Sequence, residues 1–244
     1  MTAKGRCVCA GLNPMHEVIY ILIAAILPSL VLVYYIFRKD KYQREPVRQL
    51  LKAYGYGILS IFVALCIAAV GEAMSIEEPT SVPEAFWNAF VTAGIPEELA
   101  KFFCLWLFLR KNPYYDEYID GIVYSVCLGM GFAAFENIGY LFAELDSWLE
   151  TGILRGLLSV PGHFFFAVTM GYFYSKATFG DPHRKRINFF LALFIPILLH
   201  GLFDALLMSS DALGGSLSAI LLFAGLWFYM FATSKKRIRE HLDS

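Results

Sequence analysis

The residues best suited to chemistry in this sequence are ionisable groups that stand within strongly apolar stretches. An ionised side chain at the centre of a bilayer costs roughly 2.5–3.5 kcal/mol on insertion scales, so such groups normally face one another or a polar cavity and serve a function. We therefore expect them to converge on one site. The candidates are Glu97, Glu98, Lys101, Glu136, His163, His200 and Asp204.

Local spacing predicts specific pairs among these residues. Glu97 and Lys101 are four residues apart and share a helix face, while Glu98 can reach Lys101 from the i, i+3 position. One carboxylate would suffice for a structural ion pair, whereas two adjacent carboxylates suit a general base or a shared proton. His200 and Asp204 repeat the four-residue spacing, so the carboxylate can orient the imidazole.

The other polar residues of these stretches have plainer alternatives. His163 lies alone in an apolar run and can be a hydrogen-bonded core histidine, and Glu136, next to Asn137, can support a site from outside it. Tyr140 and Arg155 lie near the predicted outer boundary, where tyrosine is common and arginine contacts lipid headgroups. The many phenylalanines are expected to face lipid.

The elements that must position the candidates are transmembrane helices. Of 244 residues, 58% are hydrophobic and 17% are charged, which is too apolar for a soluble domain of this length. About 20 apolar residues cross a hydrocarbon core of about 30 Å. Seven stretches qualify, namely residues 18–37, 53–70, 85–109, 119–143, 153–174, 189–208 and 213–233.

The predicted fold is therefore all-α and polytopic, with about seven transmembrane helices in a single domain over residues 1–244. The site is expected on helices within residues 85–208. Pro96 should kink the third helix where the acids begin, and glycines such as Gly131 should permit close helix packing. We find no internal repeat.

The distribution of charge predicts the orientation of the chain. The formal net charge is −1, which favours no nucleic-acid partner. Lysines and arginines concentrate in segments 38–52, 110–111, 176–186 and 235–239, which alternate along the chain and are expected in the cytoplasm. This arrangement puts the N-terminus outside and the C-terminus in the cytoplasm. Counted from the outer helix ends, the candidate residues then lie in the outer half of the bilayer.

The order of the motifs resembles a known family. The motifs are Glu97-Glu98-x-x-Lys101, Phe135-Glu136-Asn137-x-x-Tyr140, His163 and His200-x-x-x-Asp204. In this order on successive helices they resemble the PrsW family of intramembrane proteases, relatives of the type II CAAX prenyl endopeptidases. The segment RKDKYQREP at residues 38–46 is also similar to the first cytoplasmic loop of that family.

The resemblance implies an intramembrane endopeptidase in a bacterial inner or plasma membrane. It implies site-1-type cleavage, near the outer face, of membrane-anchored regulators such as anti-sigma factors. The expected partners are a membrane-anchored protein substrate and the lipid bilayer, with no nucleic acid. In the CAAX relatives the second motif is F-x-x-x-H, whereas Glu136 stands in that neighbourhood here. Either His163 or Glu136 can therefore supply the second catalytic group.

Two mechanisms use the same residue types. In the first, Glu97 acts as a general base on a water molecule, and Glu98 and Lys101 maintain the charge state of Glu97. His163 helps to position the water. His200, oriented by Asp204, then stabilises the oxyanion or binds a metal. In the second, Zn²⁺ held by His163, His200 and Glu97 activates the water. The sequence favours neither mechanism.

Two other function classes stay open at the level of sequence. Chains of glutamate, histidine and aspartate also form proton relays in transporters and channels, although those favour polar groups through the whole depth of the membrane and inverted repeats. A non-catalytic membrane scaffold is the second alternative, because the residue pattern concerns the presence of groups and not turnover.

Overall fold

The computed structural model describes residues 14–40, 43–212 and 217–243, and the regular structure in these ranges is helical throughout. Lys41, in the basic segment 38–52 used to predict the orientation, lies outside the described residues. Residues 213–216, at the start of the last predicted helix, also lie outside them.

Nine α-helices make up the described part of the chain. They are α1 (Pro14–Lys39), α2 (Val47–Glu72), α3 (Val82–Asn88), α4 (Ile95–Leu109), α5 (Tyr118–Ala143), α6 (Trp148–Leu157), α7 (Ser159–Phe179), α8 (Lys185–Ala212) and α9 (Leu217–Leu242). A π-helical segment, Ala89–Gly94, joins α3 to α4, and a 3₁₀ turn, Pro182–Arg184, precedes α8.

The all-α, polytopic prediction is confirmed. Every described residue of the seven predicted stretches is helical or, at Leu158, lies in a one-residue break between α6 and α7. Within the described ranges, five helical spans are long and apolar enough to cross a membrane, namely Met15–Lys39, Val47–Glu72, Tyr118–Ala143, Trp148–Phe179, which joins α6 and α7, and Pro182–Ser209. The total of seven spans and the orientation of the termini stay predictions.

The stretch 85–109 departs from a uniform helix. It contains the end of α3, the π-helical segment and all of α4, with Pro96 in the first turn of α4. Proline is tolerated at such a position because the first amide groups of a helix lack intrahelical partners. The kink at Pro96 stays a prediction, and the irregularity that the structure shows is the π-helical segment before it, a feature that is frequent at functional sites. This segment ends at Gly94, three residues before Glu97.

Helix α5 is the central element, because it is buried along most of its length and packs against α1, α2 and α7. Glycines bring α2 and α5 into backbone contact. A Cβ atom on Gly131 would lie well inside van der Waals distance of the Tyr54 carbonyl oxygen, and one on Gly57 would do the same to the Leu128 carbonyl. The predicted role of Gly131 in close packing is confirmed.

We expect Gly131→Ala to destabilise the protein by about 1–3 kcal/mol, because the added methyl group must push the backbones of α2 and α5 apart. Gly139→Ala on the same helix is the matched control, since Gly139 has open space around its Cα atom. Alanine favours a helix, so the control should keep or slightly raise stability. Thermal unfolding in detergent micelles measures both variants, and equal melting temperatures would contradict this account of the packing.

Candidate active site

The ammonium group of Lys101 lies at the centre of the predicted cluster. Its Nζ atom is 3.1 Å from Glu97 Oε2, 2.8 Å from Glu98 Oε1 and 3.1 Å from His163 Nδ1. It also lies 3.8 Å from the centroid of the Phe132 ring. Lys101 and Glu98 are both buried, so their charges are compensated by each other and by these neighbours and not by solvent.

His200 joins α8 to the two glutamates of α4. Its Nδ1 atom is 2.9 Å from Glu98 Oε1, and its Nε2 atom is 3.2 Å from Asp204 Oδ2 and 3.9 Å from Glu97 Oε2. The ring stacks on Phe166 with 4.7 Å between the ring centroids. The His200–Asp204 pair expected from the spacing therefore forms, and each nitrogen of His200 faces a carboxylate.

His163 bridges α4 and α5. Its Nδ1 atom faces the Lys101 ammonium, which can only donate, so Nδ1 must be the acceptor in that contact. Its Nε2 atom is 3.0 Å from Glu136 Oε2 and donates to that carboxylate. This pair of partners fixes one neutral tautomer, with its proton on Nε2. His163 is thus a member of the cluster and not an isolated core histidine.

Arg155 corrects one prediction made from the sequence. It was assigned to the lipid headgroups, but in α6 it turns towards the cluster and lies 2.5 Å from Glu136 Oε2 through a terminal nitrogen. Its Nε atom donates to Asn137 Oδ1 at 2.7 Å, and its guanidinium lies 3.8 Å from the centroid of the Tyr140 ring. Arg155 therefore holds the carboxylate that in turn holds His163.

Phenylalanine gives a second correction. Phe132 and Phe166 are buried beside Lys101 and His200 and do not face lipid. Their rings are apolar walls that position charged or polar groups by cation–π contact and stacking. The sequence offered no signal to separate these two from the exposed Phe103, Phe190 and Phe228.

A cavity of about 380 Å³ opens onto the cluster. Among the residues that line it are Thr92, Glu97, Glu136, His163, His200 and Asp204. The side chain of Glu97 is 15% exposed and that of Asp204 is 24% exposed, whereas that of Glu98 is 1% exposed. A water molecule or a substrate can therefore reach Glu97 from the cavity, while Glu98 is reached only through its neighbours.

Four residues of the cluster form a group that can hold a metal ion. Glu97, Glu98, His163 and His200 each offer one ligand atom, and in the described part of the chain these atoms all lie within 4.8 Å of one another. Glu98 Oε2 is buried without a hydrogen-bond partner, so it has a free lone pair. The set contains the three residues predicted as metal ligands and adds Glu98.

Comparison with known proteins decides the family. Residues 45–233 match the family described as PrsW family intramembrane metalloprotease. The chain belongs to this family. The chain is 40% identical to Protease PrsW of Clostridioides difficile over 75% of its own length and 77% of that protein. It is 34% identical to Protease PrsW of Geobacillus kaustophilus, over 84% and 86% of the two chains.

A further relative, Protease PrsW of Bacillus subtilis, is 32% identical over 88% of this chain and 94% of its own. No solved structure gives a significant match. Membership of the PrsW family confirms that the protein is an intramembrane protease, as the motif order had indicated. The transporter and scaffold alternatives receive no support from these relatives.

We expect Arg155→Gln to lower proteolysis by about 10–100-fold, the cost typical of losing a group that orients a catalytic or metal-binding side chain. Arg155→Lys should recover part of the activity, because it restores the charge beside Glu136 but not the forked contact. The matched control is Arg110→Gln, whose guanidinium lies over Trp106 away from the cluster. Cleavage of a membrane-anchored reporter measures all three, and full activity of Arg155→Gln would contradict a positioning role.

Proposed function

We propose that the chain is an endopeptidase of the bacterial cell membrane that hydrolyses peptide bonds of membrane-anchored proteins near the outer face. By family resemblance we propose regulators such as anti-sigma factors, cut in a site-1-type step, as its substrates. The observation that carries the catalytic part of this proposal is the position of Glu97, which belongs to the buried cluster and is also open to the cavity. We further propose that residues 1–244 act as one protease domain.

In the proposed reaction Glu97 accepts a proton from a water molecule in the cavity as that water attacks the carbonyl carbon of the scissile bond. The proton is then delivered to the departing amide nitrogen, the C–N bond breaks, and a carboxylate and an amine are released. Glu98 and Lys101 hold Glu97 in place and balance its charge, since Lys101 contacts both carboxylates.

His200 is proposed to stabilise the oxyanion of the tetrahedral intermediate. It lies at the cavity wall next to Glu97, and Asp204 accepts from its Nε2 atom and fixes the plane of the ring. Both ring nitrogens already contact carboxylates, so a protonated His200 would act on the oxyanion through its positive charge, which is held in place before the reaction and costs no reorganisation in the transition state.

The division of labour between His163 and Glu136 is proposed from their contacts. His163 contacts Lys101 directly, whereas Glu136 contacts Arg155 on one side and His163 on the other. We therefore assign the inner role to His163, which helps to position the water. Glu136 orients the imidazole through its contact with Nε2, the ring nitrogen that does not face Lys101, although Glu136 also lines the cavity.

The donor set also fits a zinc ion. Both histidines direct Nδ1 towards the cluster while Nε2 contacts a carboxylate, Glu136 for His163 and Asp204 for His200. A carboxylate that holds the second nitrogen of a histidine is typical of metal-binding histidines. Glu97, Glu98, His163 and His200 would hold the ion, which would polarise the scissile carbonyl and make a water molecule more acidic.

The Lys101 ammonium competes for the same donors. It already lies within 3.1 Å of Glu97, Glu98 and His163, so a metal ion can bind to all of them only if this side chain moves away. The site thus has two candidate cations, the lysine and a metal. Assay of protein freed of metal decides between the two mechanisms, since full activity would assign hydrolysis to Glu97 without zinc.

We expect Glu97→Gln to lower cleavage of a membrane-anchored reporter by about 100-fold or more, because an amide cannot accept the proton of the attacking water. Glu150→Gln is the matched control, since Glu150 is an exposed acid on α6. Purified protein in liposomes, with the two cleavage fragments separated by mass, gives the readout. The proposal for Glu97 fails if this variant and the control cut at the same rate.

Removal of the competing cation should strengthen metal binding. We expect Lys101→Met to bind Zn²⁺ at least about tenfold more tightly than the unaltered protein, because two buried carboxylates lose their counter-charge and a metal can replace it. Competition with a fluorescent chelator measures the affinity without reference to activity. Lys111→Met, outside the cluster, should bind Zn²⁺ as the unaltered protein does. An unchanged affinity of Lys101→Met would place any bound metal away from these donors.

A further inference from the structure

A second cavity, of about 590 Å³, forms an apolar groove between α1, α7 and α9. Its walls are aliphatic and aromatic side chains that include Leu32, Phe164, Phe165, Trp227 and Phe231. It shares no lining residue with the cavity at the glutamate cluster. Trp227 packs against Phe165 and Phe231 with centroid distances of 5.5 and 6.1 Å, and the two phenylalanine rings are 6.3 Å apart, so the indole is held in an aromatic cluster in the wall of this groove.

The lining of the groove becomes polar at the last residue of α1 and in the second half of α9. Lys39, Ser234 and Lys235 line this part. Both lysines belong to segments whose positive charge predicts the cytoplasmic side of the membrane. The groove therefore combines a long apolar wall with two cations near the expected membrane surface.

The two lysines at this end have no carboxylate partner among the described residues, although the Lys39 ammonium lies 5.4 Å from the centroid of the Tyr35 ring. In the ranges that the structure covers, no carboxylate forms an ion pair with Lys39 or Lys235, whereas the neighbouring Lys236 pairs with Glu240 at 3.7 Å. Ser234 is 2% exposed, and its Oγ atom has no hydrogen-bond partner. A serine inside a helix usually donates to a carbonyl one turn earlier, so this hydroxyl is left free to donate elsewhere.

We propose that this groove binds an anionic phospholipid. An acyl chain lies along Trp227 and the aromatic wall, and the phosphate lies between the two lysines and accepts a hydrogen bond from Ser234. Basic pockets between transmembrane helices on the cytoplasmic side are known to hold anionic lipid headgroups. An apolar helix of a protein partner is a poorer occupant, because it would leave the two lysines without a counter-charge.

Trp227 provides a local reporter for the acyl chain. The chain has four tryptophans, so the difference in fluorescence between the unaltered protein and Trp227→Phe isolates the signal of this one. In liposomes, phosphatidylglycerol with brominated acyl chains should quench Trp227 at about 25-fold lower mole fraction than brominated phosphatidylcholine. Each lysine near the surface contributes about fivefold to such a preference.

Paired substitutions distinguish lipid binding in the groove from a general attraction of anionic lipid to the positive charge on this side of the membrane. Lys39→Gln with Lys235→Gln should abolish the preference for the anionic lipid. Lys111→Gln with Lys236→Gln removes two charges from the same predicted membrane side but outside the groove, and should leave the preference unchanged. Ser234→Ala should reduce it to a smaller degree.

The proposal is overturned if both lipids quench Trp227 of the unaltered protein equally, a result that needs no altered lysine. It is also overturned if the Lys111 and Lys236 pair loses as much preference as the groove pair, since bulk charge would then explain the effect. Lipid quenching does not depend on proteolysis, so this test stands or fails separately from the proposed cleavage reaction.

Discussion

The balance of charge inside an apolar environment is the constraint on which the site depends. Glu97, Glu98, Glu136 and Asp204 bring four carboxylates into one connected cluster, and Lys101 and Arg155 are the permanent cations that contact it. Burial of a charge without a partner costs several kcal/mol, so the remaining negative charge must be met by a proton on a histidine or carboxyl group, or by a metal ion. The carboxylates exceed the two cations by two charges, so the cluster can be balanced by protons, or by a metal ion once the Lys101 side chain moves away from Glu97, Glu98 and His163.

Local spacing in the sequence predicted the contacts that lie within one helix. The Glu97–Lys101 and His200–Asp204 pairs follow from the four-residue repeat of an α-helix, and both form. Contacts between helices did not follow in the same way. That His163 lies between Lys101 and Glu136 depends on how α4, α5 and α7 pack, and no spacing along the chain encodes it. The energetic cost of isolated charges in a membrane predicts that these groups converge, but not which of them contact one another.

The wrong environment predicted for Arg155 has one physical cause. Arg155 stands in a short helix near the predicted membrane boundary, where an arginine that reaches headgroups and one that turns inwards have the same sequence context. Only the tertiary packing of α6 decides between them. The break at Leu158 and the π-helical segment could not be predicted from the sequence either. The length of an apolar stretch indicates whether a helix can span a membrane, but not how its backbone hydrogen bonds are paired.

The two adjacent glutamates show how one helix can give the same side chain two environments. Consecutive residues of an α-helix are about 100° apart around its axis, so Glu97 and Glu98 leave the helix in different directions, although both reach Lys101 and His200. Glu98 turns into the protein, where Lys101 and His200 surround it, and Glu97 turns to the cavity. A carboxylate that must meet water needs exposure, whereas one that must hold a cation in place needs burial. The pair satisfies both needs at once because α4 begins at this point, directly after the π-helical segment, and thereby sets which glutamate faces which side.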